Sequence, residues 1–325
     1  MSPNELFELY SDNSDDSGPT YGYYKLSEQE CYHWQDTKEE YQDTPNSLWG
    51  GYYSAIAAAN MALNAIEEKG NPASLDPQRG EALVCRAYCH FMLANIFCNA
   101  YDTHASQSLG VPYMEEVETT VSPRYERGTL EEVYRKVERD LLEGIDLISD
   151  DSYSVPKYHF TRKAAYAFAA RFYLYYMKPD FSNCDRVIDF ATRVLGTNPA
   201  DLLRNWEALG NLSVNGNVQA DAYIASSNEA NLLISSTVSN WGAIGSDYLI
   251  GPRYFHNQTL ATSETCLSSG LWGSSDYFYL KPFSTNGFVA SILRKSGLYE
   301  GTYLYYMPVL FSTDETLLCR AEAYA

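Results

Sequence analysis

The sequence predicts a mainly α fold: an α–α superhelix of antiparallel helix pairs, interrupted by a long irregular, loop-rich insertion. Three observations predict it. Apolar residues recur at spacings of three and four through five segments between residues 49 and 196. One short Arg-centred pattern returns three times along the chain. Between residues 197 and 314 the helical period fades, and Gly, Ser, Asn and aromatic residues accumulate.

Residues 1–47 are polar and turn-rich. The run Asp12-Asn13-Ser14-Asp15-Asp16-Ser17-Gly18 has its Gly misplaced for a calcium loop and no closing Glu, so a solvated acidic loop is expected. The first helix starts near Trp49, with Tyr52, Tyr53, Ile56, Asn60, Leu63 and Ile66 on one face. Its many alanines, Ala55, Ala58 and Ala62 among them, let a second helix approach closely. Gly70-Asn71-Pro72 ends it. Asp76 is expected to cap the next helix, with Pro77 at its first position. That helix runs to about Asn99 and carries Leu83, Ala87, Phe91, Ala94 and Phe97.

Thr129 and Glu132 form a capping box for the third helix. Leu130, Val133, Val137, Leu141, Ile145 and Ile148 make its buried stripe, and Glu131, Arg135, Glu138 and Arg139 its solvated face. Thr161 opens the fourth helix, through Phe168, Phe172 and Tyr175. The fifth runs from Cys184 to Leu195 and stops at Gly196. Residues 229–236 read as a short strand or a buried turn.

The segments Leu83-Val84-Cys85-Arg86-Ala87-Tyr88, Ala169-Ala170-Arg171-Phe172-Tyr173 and Leu317-Leu318-Cys319-Arg320-Ala321 echo one another, a degenerate tetratricopeptide-like repeat with large insertions. Arg86, Arg171 and Arg320 then sit inside helices, where each is expected to meet a carboxylate or a helix C-terminus. The expected organisation is an irregular segment at 1–47, a tetratricopeptide-like scaffold at 48–196, a loop-rich ligand-facing region at 197–314, and the start of a further scaffold helix at 315–325.

Composition narrows the function. Of 325 residues, 45% are hydrophobic, which supports a packed globular protein. A net charge of −19 repels phosphate backbones and anionic lipids, so neither nucleic acid nor a charged membrane surface is an expected partner. The seven cysteines are odd in number and follow no disulfide spacing. Cys85, Cys89 and His90 lack the second ligand pair that structural zinc needs, so core packing is expected there and no metal. Neither a Gly-x-Ser-x-Gly elbow, a phosphate loop nor a His-Glu-x-x-His motif is present, and the five histidines are scattered. No catalytic residue and no cofactor are therefore expected. The chain shows no export signal at Met1 and stops in a helical pattern at Ala325, which reads as a piece of a longer protein.

Several stretches in order resemble one family. Arg86-Ala87-Tyr88-Cys89-His90-Phe91, then Asn95-Ile96-Phe97, then Gly110-Val111-Pro112-Tyr113 are similar to the SusD/RagB signature. So are Thr129-Leu130-Glu131-Glu132-Val133-Tyr134, Thr161-Arg162-Lys163-Ala164-Ala165-Tyr166 and the terminal Arg320-Ala321-Glu322-Ala323-Tyr324. The resemblance implies tetratricopeptide-like helix pairs supporting an irregular ligand-facing lobe. It implies a surface-exposed lipoprotein of the outer membrane of Bacteroidota, held by an N-terminal lipid anchor absent from this chain. It also implies a glycan ligand and a SusC-like TonB-dependent transporter as partner. Peptide capture, as in the RagB branch, a scaffold binding only proteins, and a helical glycosidase are the alternatives.

Sugar capture needs flat rings beside hydrogen-bonding amides and carboxylates. In the loop-rich region the candidate rings are Trp206, Trp241, Tyr248, Tyr254, Trp272, Tyr277 and Tyr279, with Asn240, Asp247, Arg253, Asn257 and Asp276 nearby as polar partners. Trp241 and Trp272 stand among Gly and Ser, where a ring can be exposed. The competing reading is that such rings fill the lobe's own core. The helix aromatics Tyr52, Tyr53, Phe91, Tyr173 and Tyr175 are expected in the core.

Overall fold

The computed structural model describes the chain apart from residues 1–3, 12–13, 17, 20–24, 41–42, 122, 213–217, 239–252, 256–297 and 301–302. In chain order the helices are α1 (Asn4–Leu9), α2 (Leu26–Tyr32), α3 (Pro45–Glu67), α4 (Asp76–Phe97), α5 (Leu130–Leu147), α6 (Arg162–Tyr175), α7 (Cys184–Leu195), α8 (Trp206–Gly210), α9 (Val218–Ile224) and α10 (Thr313–Tyr324). The strands are β1 (Asp15–Asp16), β2 (Asn231–Ile234), β3 (Thr237–Val238), β4 (Tyr254–Phe255), β5 (Leu298–Glu300), β6 (Tyr303–Tyr306) and β7 (Val309–Ser312). The fold is mainly helical, as expected. The chain forms two compact units, one of residues 49–204, 229–234 and 309–325, the other of residues 1–48, 205–228 and 235–308.

The first unit is the helical one. α3 begins four residues before the periodic pattern, because Pro45 needs no N–H at a helix start. It ends where Gly70 and Asn71 take left-handed φ of 79° and 51°. α4 departs from expectation by one residue. A 3-10 turn at Ala73–Leu75 carries the chain into it, so Leu75 holds the cap position and Asp76 is the first helical residue. Asp76 thus acts on the helix dipole rather than as a cap. α5 has the reciprocal cap: Glu132 N–H donates to Thr129 Oγ1 at 3.2 Å and Thr129 N–H to the Glu132 carboxylate at 2.9 Å. Thr161 caps α6 and Ser312 caps α10 in the simple form.

α4 and α5 run antiparallel, since Gly80, Arg86 and Phe91 meet Gly144, Asp140 and Tyr134 in turn. The crossing is tight: a Cβ on Gly80 would lie 2.7 Å from the Gly144 carbonyl oxygen, and the converse holds equally. α6 and α7 pair likewise, with Tyr173 near Arg186 and Tyr166 near Arg193. α10 packs on both. The three repeat arginines meet the partners expected of them. Arg86 donates to Asp140 at 2.6 Å, Arg171 to Glu315 at 2.6 Å, and Arg320 to the Gly196 carbonyl at the end of α7 at 2.8 Å. The core is aromatic, with Phe91, Phe168, Phe172 and Phe311 each at most 2% exposed. Residues 231–234 are indeed a short strand, buried throughout and antiparallel to β7.

Two details differ from expectation. Tyr175 is 52% exposed: on the last turn of α6 it covers Phe91 edge-on and gives its other side to solvent. Glu138 is half-buried rather than solvated, because it accepts from the Tyr173 hydroxyl at 2.8 Å and faces Arg186 at 3.5 Å.

A buried polar network fixes residues 112–116 against α3, α4 and α5. Tyr53 donates to the Pro112 carbonyl at 2.8 Å, and Asn60 Nδ2 to the Met114 and Glu116 carbonyls at 3.1 and 3.2 Å. Met114 N–H donates to His90 Nε2 at 3.0 Å, while His90 Nδ1 donates to the Arg86 carbonyl at 2.9 Å. The Tyr113 ring stacks on His90 at 3.8 Å and its hydroxyl donates to Asp140 at 2.7 Å. Cys85, Cys89 and His90 are thus packing and hydrogen-bonding residues here; His90 is fully buried.

In the second unit β1 pairs antiparallel with β4, and β6 lies between β3 and β5. The acidic segment expected to be a solvated loop is partly strand. Arg253 explains it, donating to both carboxylate oxygens of Asp16 at 2.6 and 2.7 Å. Those bonds from Arg253 hold the Asp16 carboxyl below its ordinary value.

Candidate functional site

Of the sequence candidates, Asn240, Trp241, Asp247, Tyr248, Asn257, Trp272, Asp276, Tyr277 and Tyr279 lie outside the described residues. Tyr254 is described. It is 5% exposed, stacks on Tyr32 with ring centroids 4.7 Å apart, and carries the Arg253 guanidinium 5.0 Å from its own centroid. Tyr254 therefore supports the end of α2 rather than presenting a ring face. Trp206 is half-buried beside Tyr223, 6.3 Å between ring centroids.

Among the described residues several rings face solvent, Phe181 and Tyr324 among them; Trp34, two residues past the end of α2, is 74% exposed. Its backbone explains its position. Trp34 N–H donates to the Cys31 carbonyl at 2.9 Å and Gln35 N–H to the Glu30 carbonyl at 2.8 Å. This is the paired closure of a Schellman motif, whose left-handed residue is usually glycine. Here that residue is Trp34, with φ of 55°. A side chain with a Cβ in this conformation costs about 1–2 kcal/mol. Burial does not offset that cost, because most of the ring is in water.

One ring packs against Trp34, and the turn that follows it is tied down. The Tyr10 ring lies 4.9 Å away, tilted by 54°. Burial, with Cys31 alongside, pushes the Tyr10 hydroxyl up to about 12, so it stays protonated. The turn after Trp34 is tied back to α2 twice: Lys38 N–H donates to the buried Glu30 carboxylate at 2.9 Å, and Ser27 N–H to Glu39 at 2.9 Å. Gln35 and Asp36, next in sequence, are exposed polar residues. The arrangement is a flat, wet aromatic surface followed in sequence by an amide and a carboxylate. It can pack against the C–H face of a neutral ligand and bond its hydroxyls.

Trp34 was not among the sequence candidates, which were drawn from residues 197–314. Its signal lay in the sequence nonetheless: one tryptophan followed by six polar residues, Gln35 to Glu40, has no local core to join. Among the described residues no group of three or more His, Cys, Asp and Glu side chains could hold a metal ion. No described helix is long and apolar enough to cross a membrane.

The comparisons with known proteins agree with this architecture. A family model described as starch-binding associating with outer membrane matches residues 1–174. The chain belongs to that SusD-like family, whose members associate with the outer membrane. A search of curated proteins found no match. Among solved structures, a SusD superfamily protein from Bacteroides thetaiotaomicron VPI-5482 is similar at 16% identity and a TM-score of 0.61, over 98% of this chain and 70% of that one. A SusD superfamily protein from Bacteroides vulgatus ATCC 8482 is similar at 20% identity and a TM-score of 0.64, over the same shares. A laminarin-binding SusD-like protein is similar at 17% identity and a TM-score of 0.56, over 99% of this chain and 78% of that one.

Proposed function

We propose that this chain is a surface-exposed glycan-binding lipoprotein of the outer membrane. It captures an oligosaccharide or polysaccharide and passes it to a SusC-like TonB-dependent transporter, making and breaking no covalent bond. The observation that carries the reading is the Trp34 ring, held out to water at a left-handed backbone position where glycine is usual. Membership of a family described as starch-binding, and likeness in fold to a laminarin-binding protein, support sugar over other neutral ligands. Trp241, Trp272, Tyr248 and Tyr277, with Asn240 and Asp276, are proposed as further ligand contacts.

Electrophoresis through gels containing starch, laminarin and other polysaccharides tests this. The wild-type chain is expected to be retarded by at least one. Trp34→Ala, Trp241→Ala and Trp272→Ala are each expected to weaken retention by about two- to tenfold, the worth of one stacked ring. A Trp34→Ala protein retarded as strongly as wild type removes Trp34 from the site. Retardation by no polysaccharide, alongside binding of peptides, replaces the glycan reading. Release of reducing sugar during the run overturns the non-catalytic one.

A further inference from the structure

A cleft of about 540 Å³ opens in the helical unit between α3 and residues 112–118, a volume in the range of small-ligand sites. One wall is a helical stripe, Trp49, Tyr53, Ile56 and Asn60, at the spacing of a single α3 face. Trp49 is braced by Tyr53 at 4.9 Å and by Phe97 at 5.0 Å. The facing wall carries the exposed carboxylates Glu116 and Glu118, and Tyr125 donates its hydroxyl to Glu118. Tyr125 itself is 43% exposed.

The charge in the cleft has one sign. No lining residue is basic. Among the described residues, the basic side chains bonded to this segment are engaged away from Glu116 and Glu118: Lys136 and Arg139 with the Glu115 carboxylate, and Arg86 with Asp140, Asn60 and the Glu115 carbonyl. Rings beside unneutralised carboxylates form a site for an organic cation. The backbone narrows the ligand further. The Pro112, Met114, Glu115 and Glu116 carbonyls and the Met114 N–H are all taken by side chains of α3 and α4. An extended peptide laid along this wall would find little free backbone to pair with. A sugar needs only rings and carboxylates.

We propose that this cleft is a second ligand site, selective for an amine-bearing saccharide. Its ammonium group sits at Glu116 and Glu118 while the sugar body packs against Trp49 and Tyr125. The choice of a saccharide rests on the glycan-capture reading; Trp34 is not among the residues that line the cleft.

The test is calorimetric titration of the intact chain with a glucosamine tetramer and with the N-acetylglucosamine tetramer, at about pH 6, where the free amines are protonated, and about 0.15 M salt. The amine form is expected to bind about tenfold more tightly than the acetylated form. The Glu116→Gln/Glu118→Gln double variant is expected to abolish that difference. Glu67→Gln/Asp151→Asn, which removes the same charge from exposed positions elsewhere, is expected to preserve it, as is Trp34→Ala. Equal affinity for the two tetramers overturns the proposal. So does amine preference that survives Glu116→Gln/Glu118→Gln, that vanishes equally in Glu67→Gln/Asp151→Asn, or that is matched by trilysine. A Trp34→Ala protein that loses polysaccharide retention but keeps the amine preference separates the two sites. Retention without amine preference defeats this proposal alone.

Discussion

Arg86 Nε lies 2.6 Å from an Asp140 carboxylate oxygen, and the two side chains are only 8% and 1% exposed. Neither charge depends on the other alone. Asp140 also accepts from Tyr113 and Arg139, and Arg86 also donates to Asn60 and the Glu115 carbonyl. The pair therefore joins α4 and α5 and fixes the loop that forms one wall of the cleft. Removing one partner leaves the other charged in a dry interior. Asp140→Ala or Arg86→Ala is expected to lower stability by about 3–5 kcal/mol in urea unfolding. Arg86→Ala/Asp140→Ala is expected to lose less than the sum of the two single losses. Additive losses in that cycle would show the pair uncoupled.

His90 gives the fold a pH dependence of known sign. Burial, the largest cause, lowers its pKa from 6.5 to about 4. Its Nε2 must stay unprotonated to accept from Met114 N–H. Between those two values the unfolded chain binds more protons than the folded one, so stability falls as pH falls through this window. His90's share of the loss between pH 7 and 5.5 is about 1 kcal/mol, from the shift and the ordinary histidine value. Urea unfolding of wild type and His90→Gln across that interval checks it: the variant, though weaker overall, should show a flatter dependence. Identical slopes would mean that His90 does not titrate in this way.

Gly80 and Gly144 reverse the usual rule for glycine in helices. In an exposed helix interior, alanine in place of glycine gains about 1 kcal/mol. Here a Cβ at either position meets the opposing backbone oxygen at 2.7 Å, and backbone cannot move aside cheaply. Gly80→Ala and Gly144→Ala are each expected to destabilise by about 1–3 kcal/mol, through separation of α4 from α5. Thermal unfolding decides the sign. A rise in midpoint for either variant would show the crossing looser than its geometry implies.

The helical scaffold was legible because its signals are local. The Thr129–Glu132 box, the spacing of Leu130, Val133, Val137 and Leu141, and the stop at Gly196 each state a boundary or a face within a few residues. The repeat arginines could be assigned partners by type, because a buried guanidinium admits few alternatives. Which acid each would meet was not legible: Arg171 and Glu315 are 144 residues apart in sequence. The same limit hid Arg253 behind Asp16, 237 residues away, so the acidic run read as free loop. Tyr254 was placed among ligand rings because tyrosine composition says nothing of what stacks on it; Tyr32 does. Trp34 lies outside the region of lost periodicity because it closes a helix. Its φ of 55°, its exposure and the polar run after it set it apart from an ordinary C-terminal aromatic.

That φ provides a test in which stability and binding part company. Trp34→Ala and Trp34→Gly both delete the ring and its contact with Tyr10. They differ in that alanine keeps a Cβ in the left-handed conformation and glycine does not. Glycine is therefore expected to be the more stable of the two by about 1 kcal/mol, against the greater freedom it gives the unfolded chain. Polysaccharide retention should fall equally in both, since neither has a ring to offer. If alanine proves the more stable, the backbone at Trp34 is unstrained and the argument from strain to function fails. If glycine alone retains binding, the ring is not the contact, and the ligand reads the turn itself.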